Sequence, residues 1–530
     1  MIIPNFMYWA TVFLGLLLVL YLYGTKNYDY FLKRNMPSLQ QSPFIGNFGP
    51  FLFRKRSYPD HIKWMYDRLK AYSYGGVFQL MTPYVMICDP ELIKAVTVKD
   101  FDHFTDRNQV VPKDIDPVFA KTLTMLKGEQ WKEARSNLTP AFTSSKMKMM
   151  FELVSECGVQ LVEFLEKCCG NYTPEKVIKI EKGGKLLVVE MRDIFTRFAN
   201  DIIATAAFGI SVDSLTNPKN DFYMMGSDIS DLGGKRALIW FGYLLCSPLM
   251  RLLNVTFMSK KVINFFKSIV LKTIDVRERE GITRPDLIHL LMQAKKGVLE
   301  DQNSPTKTKT KLDDDDLAAH AFQFFLAGFH SSATLLCFST HQLAVHPDIQ
   351  VRLQEEIDDT LRQCGSNITY EAVQSMKYLD MVLSETLRKY PPGPGLERCC
   401  VKEYTLPSDP PVQIHPGDAV LLPVFGLHRD PEYFPDPERF DPDRFSDENK
   451  HNIKPYTYLP FGSGPRACIG NRFALMEAKV AMVHLLSRFT LKVVSKTPIP
   501  LEITRKGYNM TVDGGFWLGL EQRSKKQTGD

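Results

Sequence analysis

The sequence predicts a mainly α-helical α+β fold with small β-sheets, preceded by a single N-terminal transmembrane helix. Three observations predict it. An uncharged, apolar run opens the chain. Helical periodicity dominates the interior up to about residue 390. Strand-like patterns flank that interior, at 77–87 on one side and from 400 onward on the other. The chain divides into an anchor at 1–25, a basic, proline-rich linker at 26–50 and one large body at 51–530.

The anchor comes first. Met1 to Thr25 carries no charged residue, and Phe6 to Tyr23 is almost wholly apolar. About 20 such residues cross the hydrocarbon core of a bilayer as a helix. Tyr8, Trp9, Tyr21 and Tyr23 sit where interfacial aromatic belts lie, and Lys26, Lys33 and Arg34 follow at once. That bias puts the body on the cytosolic side. A cleaved secretory signal would instead want a charged start and a small-x-small site after the apolar run. Pro37, Pro43 and Pro50 then discourage helix in the linker. Val77-Phe78-Gln79-Leu80 and Tyr84-Val85-Met86-Ile87, on either side of Thr82-Pro83, predict a strand-turn-strand unit.

Further on, Leu238 to Leu253 is unusually apolar and carries Trp240. It reads either as an ordinary buried helix pair or as a segment dipping into a bilayer surface. Residues 297–316 are polar and end in Asp313-Asp314-Asp315-Asp316, acids that suit a helix N-terminus, where the dipole favours negative charge. The helix that follows is predicted over Leu317 to Val345, stopped by Pro347. It would span about 40 Å. Its middle is apolar on nearly every face, so it belongs in the core. Residues 400–425 and Phe489 to Leu520 read as short strands.

Bulk properties exclude several classes. Apolar residues make up 44% and charged residues 24% of the 530, a globular composition rather than a disordered or polytopic one. The net charge of +5 is small for this length, so nothing argues for nucleic-acid binding. Ten cysteines are scattered with no C-x-x-C, which argues against zinc ribbons, thioredoxin-type sites and a disulfide framework.

Cys468 stands apart. Phe461-Gly462-Ser463-Gly464-Pro465-Arg466-Ala467-Cys468-Ile469-Gly470 is a glycine-rich loop leading into a helix-like run, Asn471 to Ala478. A cysteine at a helix entrance feels the positive end of the dipole, which favours thiolate. Gly464 and Gly470 let backbone N–H groups approach the sulfur. Three other readings compete on the loop alone: a buried structural cysteine, a phosphate cradle and a cysteine nucleophile. The cradle lacks a clean preceding strand and loses a donor at Pro465. The nucleophile has no histidine that can be paired with it from sequence.

The loop resembles the haem-binding signature of the cytochrome P-450 family, F-x-x-G-x-R-x-C-x-G, at every fixed position. Further motifs of that family follow in its order. Trp131-Lys132-Glu133-Ala134-Arg135 resembles its W-x-x-x-R, and Ala327-Gly328-Phe329 opens its long-helix oxygen motif. Glu385-Thr386-Leu387-Arg388 matches its E-x-x-R, and Pro437-Glu438-Arg439-Phe440 its P-E-R-F. An E-x-x-R alone is common as a helix-face ion pair, but five ordered motifs over more than three hundred residues are specific. The resemblance covers essentially the whole chain. It is nearest to the insect family-nine and family-six group related to vertebrate family three.

What the resemblance implies is a cytochrome P-450 fold at 51–530 binding haem b (iron protoporphyrin IX) with Cys468 as axial ligand. Such a thiolate pushes electron density onto iron and favours O–O cleavage. Arg107, Trp131, Arg135, Arg398, Phe461 and Arg466 fall where the family holds the haem. Glu385, Arg388 and Arg439 would form a buried ion-pair network behind the cysteine loop. The implied activity is oxygen insertion into a lipophilic substrate by an NADPH-dependent monooxygenase. Electrons would come from NADPH-cytochrome P-450 reductase, and from cytochrome b5 as a further donor. The family docks its reductase on the cysteine side, where Lys132, Lys146, Lys148, Lys454 and Arg472 are candidate contacts. The location implied is the endoplasmic reticulum membrane. The substrate pocket would be lined by the 107–127 loop, Phe322, Phe325, Phe329, Leu396 and Met510. The alternative class is a haem-thiolate isomerase, dehydratase or sensor.

One departure from the family pattern concerns proton delivery. After Ala-Gly-x the family carries an acid and then threonine; here the residues are His330 and Ser331, with Ser332 next. Ser331 keeps a hydroxyl but lacks the methyl that stiffens χ1. His330 can relay protons near neutral pH but supplies no fixed negative charge.

Overall fold

The computed structural model describes residues 2–108, 111–170, 178–180, 186–230, 234–296, 312–365 and 368–523. Its longer helices are α1 (Ile2–Thr25), α2 (Tyr58–Leu69), α3 (Gly128–Leu138), α4 (Ser144–Cys169), α5 (Met191–Ala206), α6 (Asp221–Ser230), α7 (Gly234–Leu252), α8 (Lys260–Glu280), α9 (Asp314–Val345), α10 (Pro347–Cys364), α11 (Lys377–Lys389) and α12 (Asn471–Arg488). The strands are β1 (Tyr74–Gln79), β2 (Thr82–Ile87), β3 (Ile178–Ile180), β4 (Leu186–Glu190), β5 (Leu396–Cys399), β6 (Tyr404–Leu406), β7 (Val412–Ile414), β8 (Ala419–Leu422), β9 (Phe489–Lys492) and β10 (Trp517–Gln522).

In α1, Met7–Thr25 is long and apolar enough to cross a membrane and is almost entirely exposed. α9 passes the same test of length and composition, but most of its apolar surface is buried against α5, α8, α11 and α12. Its N-terminus explains the aspartate run. The Asp313 carboxylate accepts from the Asp316 N–H at 2.6 Å, and Asp316 accepts from the Asp313 N–H at 3.0 Å, a reciprocal cap. Lysines from three other places meet the acids: Lys121 at Asp313 (2.8 Å) and Asp316 (3.0 Å), Lys267 at Asp315 (2.5 Å) and Lys295 at Asp314 (2.7 Å). The helix ends at Val345, and Pro347 starts α10 instead of continuing it.

One four-stranded sheet runs β1-β2-β8-β5, with β2 and β8 parallel; a second runs β3-β4-β10-β9, antiparallel throughout; β6 and β7 form a hairpin. The first hairpin corrects the sequence expectation by two residues. Its turn is Leu80-Met81, with Leu80 at φ +56°, and Thr82 and Pro83 belong to β2. Pro83 pairs with Phe78 at the strand end, one residue before β8 joins at Tyr84. A missing donor is tolerated at such a position. Residues 26–50 are docked on this sheet: Phe31, Met36 and Phe48 are buried, and Ser38 bridges Gly76. α7 turns at Cys246, two residues before Pro248, buries Ile239 and Tyr243, and leaves Leu238, Leu249 and Leu252 exposed.

Candidate functional site

The loop after Leu459 folds back on itself before α12. The Cys468 N–H donates to the Phe461 carbonyl at 2.8 Å, and the Ala467 N–H to Gly464 at 2.9 Å. Gly464 sits at φ +72°, where a Cβ would fall 1.7 Å from the Thr97 carbonyl oxygen, so only glycine fits this approach. The Cys468 side chain opens onto an apolar cavity of about 340 Å³ between this loop and α9. Burial raises the thiol pKa; the Gly470 N–H and the guanidinium groups of Arg135 and Arg107 oppose that rise.

Four arginines line the same cavity: Arg107, Arg135, Arg398 and Arg466. Among the described residues, no ion pair joins Arg107, Arg135 or Arg398 to a carboxylate, and the nearest acid to Arg466 is Asp106 at 3.9 Å. The Nε of Arg398 is buried with no partner. Burial together with repulsion among these cations holds Arg398 and Arg466 down at about 9. Glu397 near Arg107 and Asp106 near Arg466 offset this positive charge only in part, and buried charge left without a close counter-charge costs several kcal/mol by order of magnitude. The donor set therefore fits a flat apolar group that carries its own carboxylates and presents a metal to a thiolate.

The arginines also tie segments together. Arg135 Nη1 donates to the Ala467 carbonyl at 3.0 Å. Arg466 donates to the carbonyls of Thr105 (2.7 Å), Leu123 (3.2 Å) and Leu126 (2.8 Å), with its guanidinium 4.0 Å from the Trp131 ring. Its N–H groups thus staple the 105–126 loop to the cysteine loop, a role the sequence reading missed.

On α9 the residues lining the cavity are Gln323, Phe324, Ala327, Gly328, Ser331, Ser332 and Leu335. Successive helical residues are set about 100° apart, so Ser331 lies on the midline and Ser332 and His330 on the two flanks. The Ser331 hydroxyl donates to the Ala327 carbonyl at 2.6 Å. Ser332 Oγ lies 2.7 Å from Glu477 Oε2 on α12. His330 is not on the wall; its ring packs edge-on against Phe329 at 5.3 Å.

The expected pocket phenylalanines are corrected. Phe322, Phe325 and Phe329 point to the opposite face of α9 and do not line the cavity. They pack with Phe266 of α8 and Phe222 and Tyr223 of α6, at centroid distances of 6.0 Å for Phe322–Phe266, 5.4 Å for Phe325–Phe222 and 6.0 Å for Phe329–Tyr223. Met510 is buried but off the wall, whereas Leu396, Phe461 and Trp131 are on it.

Behind the loop lies a second correction. Glu385 and Arg388 of α11 are fully buried and bidentate, at 2.7 and 2.8 Å. Glu385 also accepts from the Asp441 N–H at 2.9 Å, and Arg388 donates to the carbonyls of His428 and Pro437, each at 2.8 Å. The Arg439 side chain is exposed, and only its carbonyl approaches Arg388, at 3.4 Å. The guanidinium near Glu385 is that of Arg444, at 3.6 Å, from Pro442-Asp443-Arg444-Phe445 five residues downstream. His428, also missed, links this network to the loop. Burial and the neighbouring Arg388 hold its pKa down at about 3, so it is neutral. Its Nδ1–H donates to the Arg388 carbonyl at 3.0 Å, and its Nε2 accepts from the Leu459 N–H at 2.8 Å, two residues before Phe461.

Comparison with known proteins follows this geometry. The family described as Cytochrome P450 matches residues 37–515. Cytochrome P450 9e2 of Blattella germanica is 56% identical over 524 residues, covering 98% of either chain. Probable cytochrome P450 9f2 of Drosophila melanogaster is 37% identical, covering 95% of this chain and 97% of its own. Cytochrome P450 6j1 of Blattella germanica is also 37% identical, covering 96% of each.

Proposed function

The chain belongs to the cytochrome P450 family, and from that premise we propose a microsomal monooxygenase that oxidises lipophilic small molecules with electrons passed from NADPH by a separate flavoprotein reductase. The observation that carries the reading is the cavity bounded by Cys468 on one side and Ser331 on the other, with a cluster of four arginines only partly offset by acids at its edge. Haem b, when bound, supplies the oxygen chemistry.

The chain's own residues supply the rest. Cys468 provides the thiolate, and the Gly470 N–H tempers its basicity. Arg107, Arg135 and Arg398 offer charge-assisted bonds to carboxylates. Ala327 and Gly328 keep the middle of α9 thin, leaving room over the cavity floor for a substrate. Leu396 and Leu335 exclude water from it. Ser331 places a hydroxyl at the wall, and His330 on the flank is the proposed relay toward it. Exposed Lys132, Lys148, Lys454 and Arg472 are proposed contacts for the acidic reductase. Lys132 and Lys148 are already engaged with Glu129 and Glu371. Plant compounds, other xenobiotics and endogenous lipids or hormones are the substrate classes an apolar cavity of this kind suits.

The test is reconstitution with reductase and a panel of lipophilic compounds. We expect NADPH-dependent product formation, with ligands that shift the haem spin state being turned over. Turnover of such ligands without NADPH or reductase overturns the reading in favour of the isomerase or dehydratase class.

The proposed location is the endoplasmic reticulum membrane with the body in the cytosol. Five N-x-[ST] sequons begin at Asn137, Asn171, Asn254, Asn367 and Asn509. Asn171 and Asn367 lie outside the described residues, Asn137 is buried and Asn254 is exposed. Asn254 would be open to glycosylation in a lumenal orientation. No mass shift is expected on glycosidase treatment of the natively expressed protein; a shift removed by Asn254→Gln reverses the orientation.

A further inference from the structure

The strand β5 presents two faces. Leu396 and Arg398 line the cavity. Successive residues of a strand point to opposite faces, so Glu397, between them, leaves from the other side. The 106–108 segment runs antiparallel along the same edge, with the Cys399 N–H donating to the Asp106 carbonyl at 2.8 Å. That register sets Asn108 opposite Glu397. Asn108 Nδ2 donates to the Tyr84 hydroxyl oxygen of β2 at 3.3 Å, and the Tyr84 hydroxyl donates in turn to Glu397. Tyr58 of α2 and Tyr508, in the loop between β9 and β10, complete the surroundings. Their rings meet edge to face at 4.8 Å, and Phe241 of α7 closes on Tyr508 at 6.1 Å. Burial raises the pKa of both phenols, and the Glu397 charge adds to the rise. Tyr58, Asn108, Glu397 and Tyr508 nonetheless keep part of their surface open. Open surface at that depth faces an internal space. Gly395, two residues before Glu397 on the same face, has no side chain to fill it; the Tyr58 hydroxyl stands 3.8 Å from where its Cβ would be.

What this carboxylate lacks is a cation. Among the described residues Glu397 forms no ion pair, and the one positive charge that bears on it is that of Arg107. Arg107 itself faces the cavity, where its charge is offered to a haem carboxylate. Burial pushes Glu397 up, opposed by the Tyr84 hydroxyl and by Arg107. A carboxylate in such a place is costly unless a counter-charge reaches it. A metal ion does not suit the site: no group of three His, Cys, Asp or Glu residues gathers among the described residues, and the neighbours are phenol rings. Aromatic faces around one carboxylate suit an organic cation. We propose that Glu397 and the rings of Tyr58, Tyr84 and Tyr508 form a recognition subsite for the ammonium group of a lipophilic amine, whose apolar body extends past Leu396 into the cavity. The carboxylate supplies the charge, the ring faces attract the cation and exclude water, and the cavity takes the rest of the molecule. The inference deepens the monooxygenase reading, on which it rests, by naming basic lipophilic amines as a preferred substrate class.

The test measures binding to the full-length holoprotein by equilibrium dialysis, without NADPH. The probe is phenylbutyl-trimethylammonium, whose quaternary nitrogen cannot ligate iron and stays charged at every pH. Its control is the uncharged isostere in which a tert-butyl group replaces the trimethylammonium. Glu397→Gln keeps the shape; it should weaken binding of the ammonium about tenfold and leave the isostere within about twofold of wild type. Asn108→Lys places a cation opposite Glu397 within the chain and should exclude the ammonium likewise. It completes an ion pair rather than breaking one, so it guards against a variant that merely misfolds, and Soret absorbance reports the haem content of both. Tyr508→Phe should keep the ammonium affinity, whereas Tyr508→Leu should lower it several-fold. Equal binding of the ammonium to wild type and Glu397→Gln overturns the proposal. So does an equal loss of both probes in variants that keep their haem, or a wild-type protein that does not take up the ammonium. If binding depends on Glu397 but the protein with reductase forms no NADPH-dependent product from any lipophilic compound, the monooxygenase reading falls and the subsite stands.

Discussion

Cys468→Ala is expected to abolish the thiolate signature. Reduced wild-type protein with carbon monoxide should show a strongly red-shifted Soret band; the variant should lose that band, and most of its haem with it. The reason lies in the local geometry. Among the described residues Cys468 is the one thiol on the cavity wall, held there by its N–H bond to Phe461 and by the turn at Gly464. Buried cysteines elsewhere are inert by comparison: burial pushes Cys168 up to about 11 and Cys157 up to about 12. An unchanged band in Cys468→Ala would refute the assignment of the ligand.

The second large effect belongs to Arg388. Replacing it with alanine leaves Glu385 buried at zero exposure beside a vacated site. Breaking one partner of a buried pair costs about 3–5 kcal/mol, a large share of a typical net stability of about 5–15 kcal/mol. Arg388→Ala should therefore accumulate as unfolded or haem-free protein, read as absent Soret absorbance and early protease cleavage. The corrected network adds a control. Arg444→Ala should lower the melting temperature measurably, since Arg444 is the second cation near Glu385. Arg439→Ala should lie within about 0.5 kcal/mol of wild type, as for other exposed substitutions. If Arg439→Ala is the more damaging of the two, the assignment to Arg444 is wrong.

How much of this was legible in the sequence follows from what a sequence encodes locally. The cysteine loop was readable because its glycines and its cysteine are consecutive and answer one local demand, a tight backbone approach. The family, the anchor-like helix, the long core helix and its acidic cap were readable for the same reason. The side-chain phase of α9 was not. Its middle is apolar on nearly every face, so only Gln323, Ser331 and Ser332 mark the side that meets the cavity. The reading took the bulky Phe322, Phe325 and Phe329, whereas the cavity needs the small Ala327, Gly328 and Ser331.

The arginine of the ion-pair network failed differently. Two Pro-x-Arg-Phe segments lie five residues apart, and local composition cannot rank them; only the path of the chain past Glu385 does. His428 carries no motif of its own. Its importance comes from joining Arg388 to Leu459, a pairing across sequence distances that no pattern records.

The grip of Arg466 on the 105–126 loop has a consequence for how this enzyme can diversify. Apart from a looser 3.9 Å approach to the Asp106 carboxylate, every hydrogen bond it makes there goes to a main-chain oxygen: Thr105, Leu123 and Leu126. A carbonyl is the one hydrogen-bonding group that all twenty residue types present alike. Cavity-facing side chains of this loop such as Leu123 and Thr124 can therefore be exchanged over generations, altering what the cavity accepts, while the frame that holds the loop beside the thiolate is inherited unchanged.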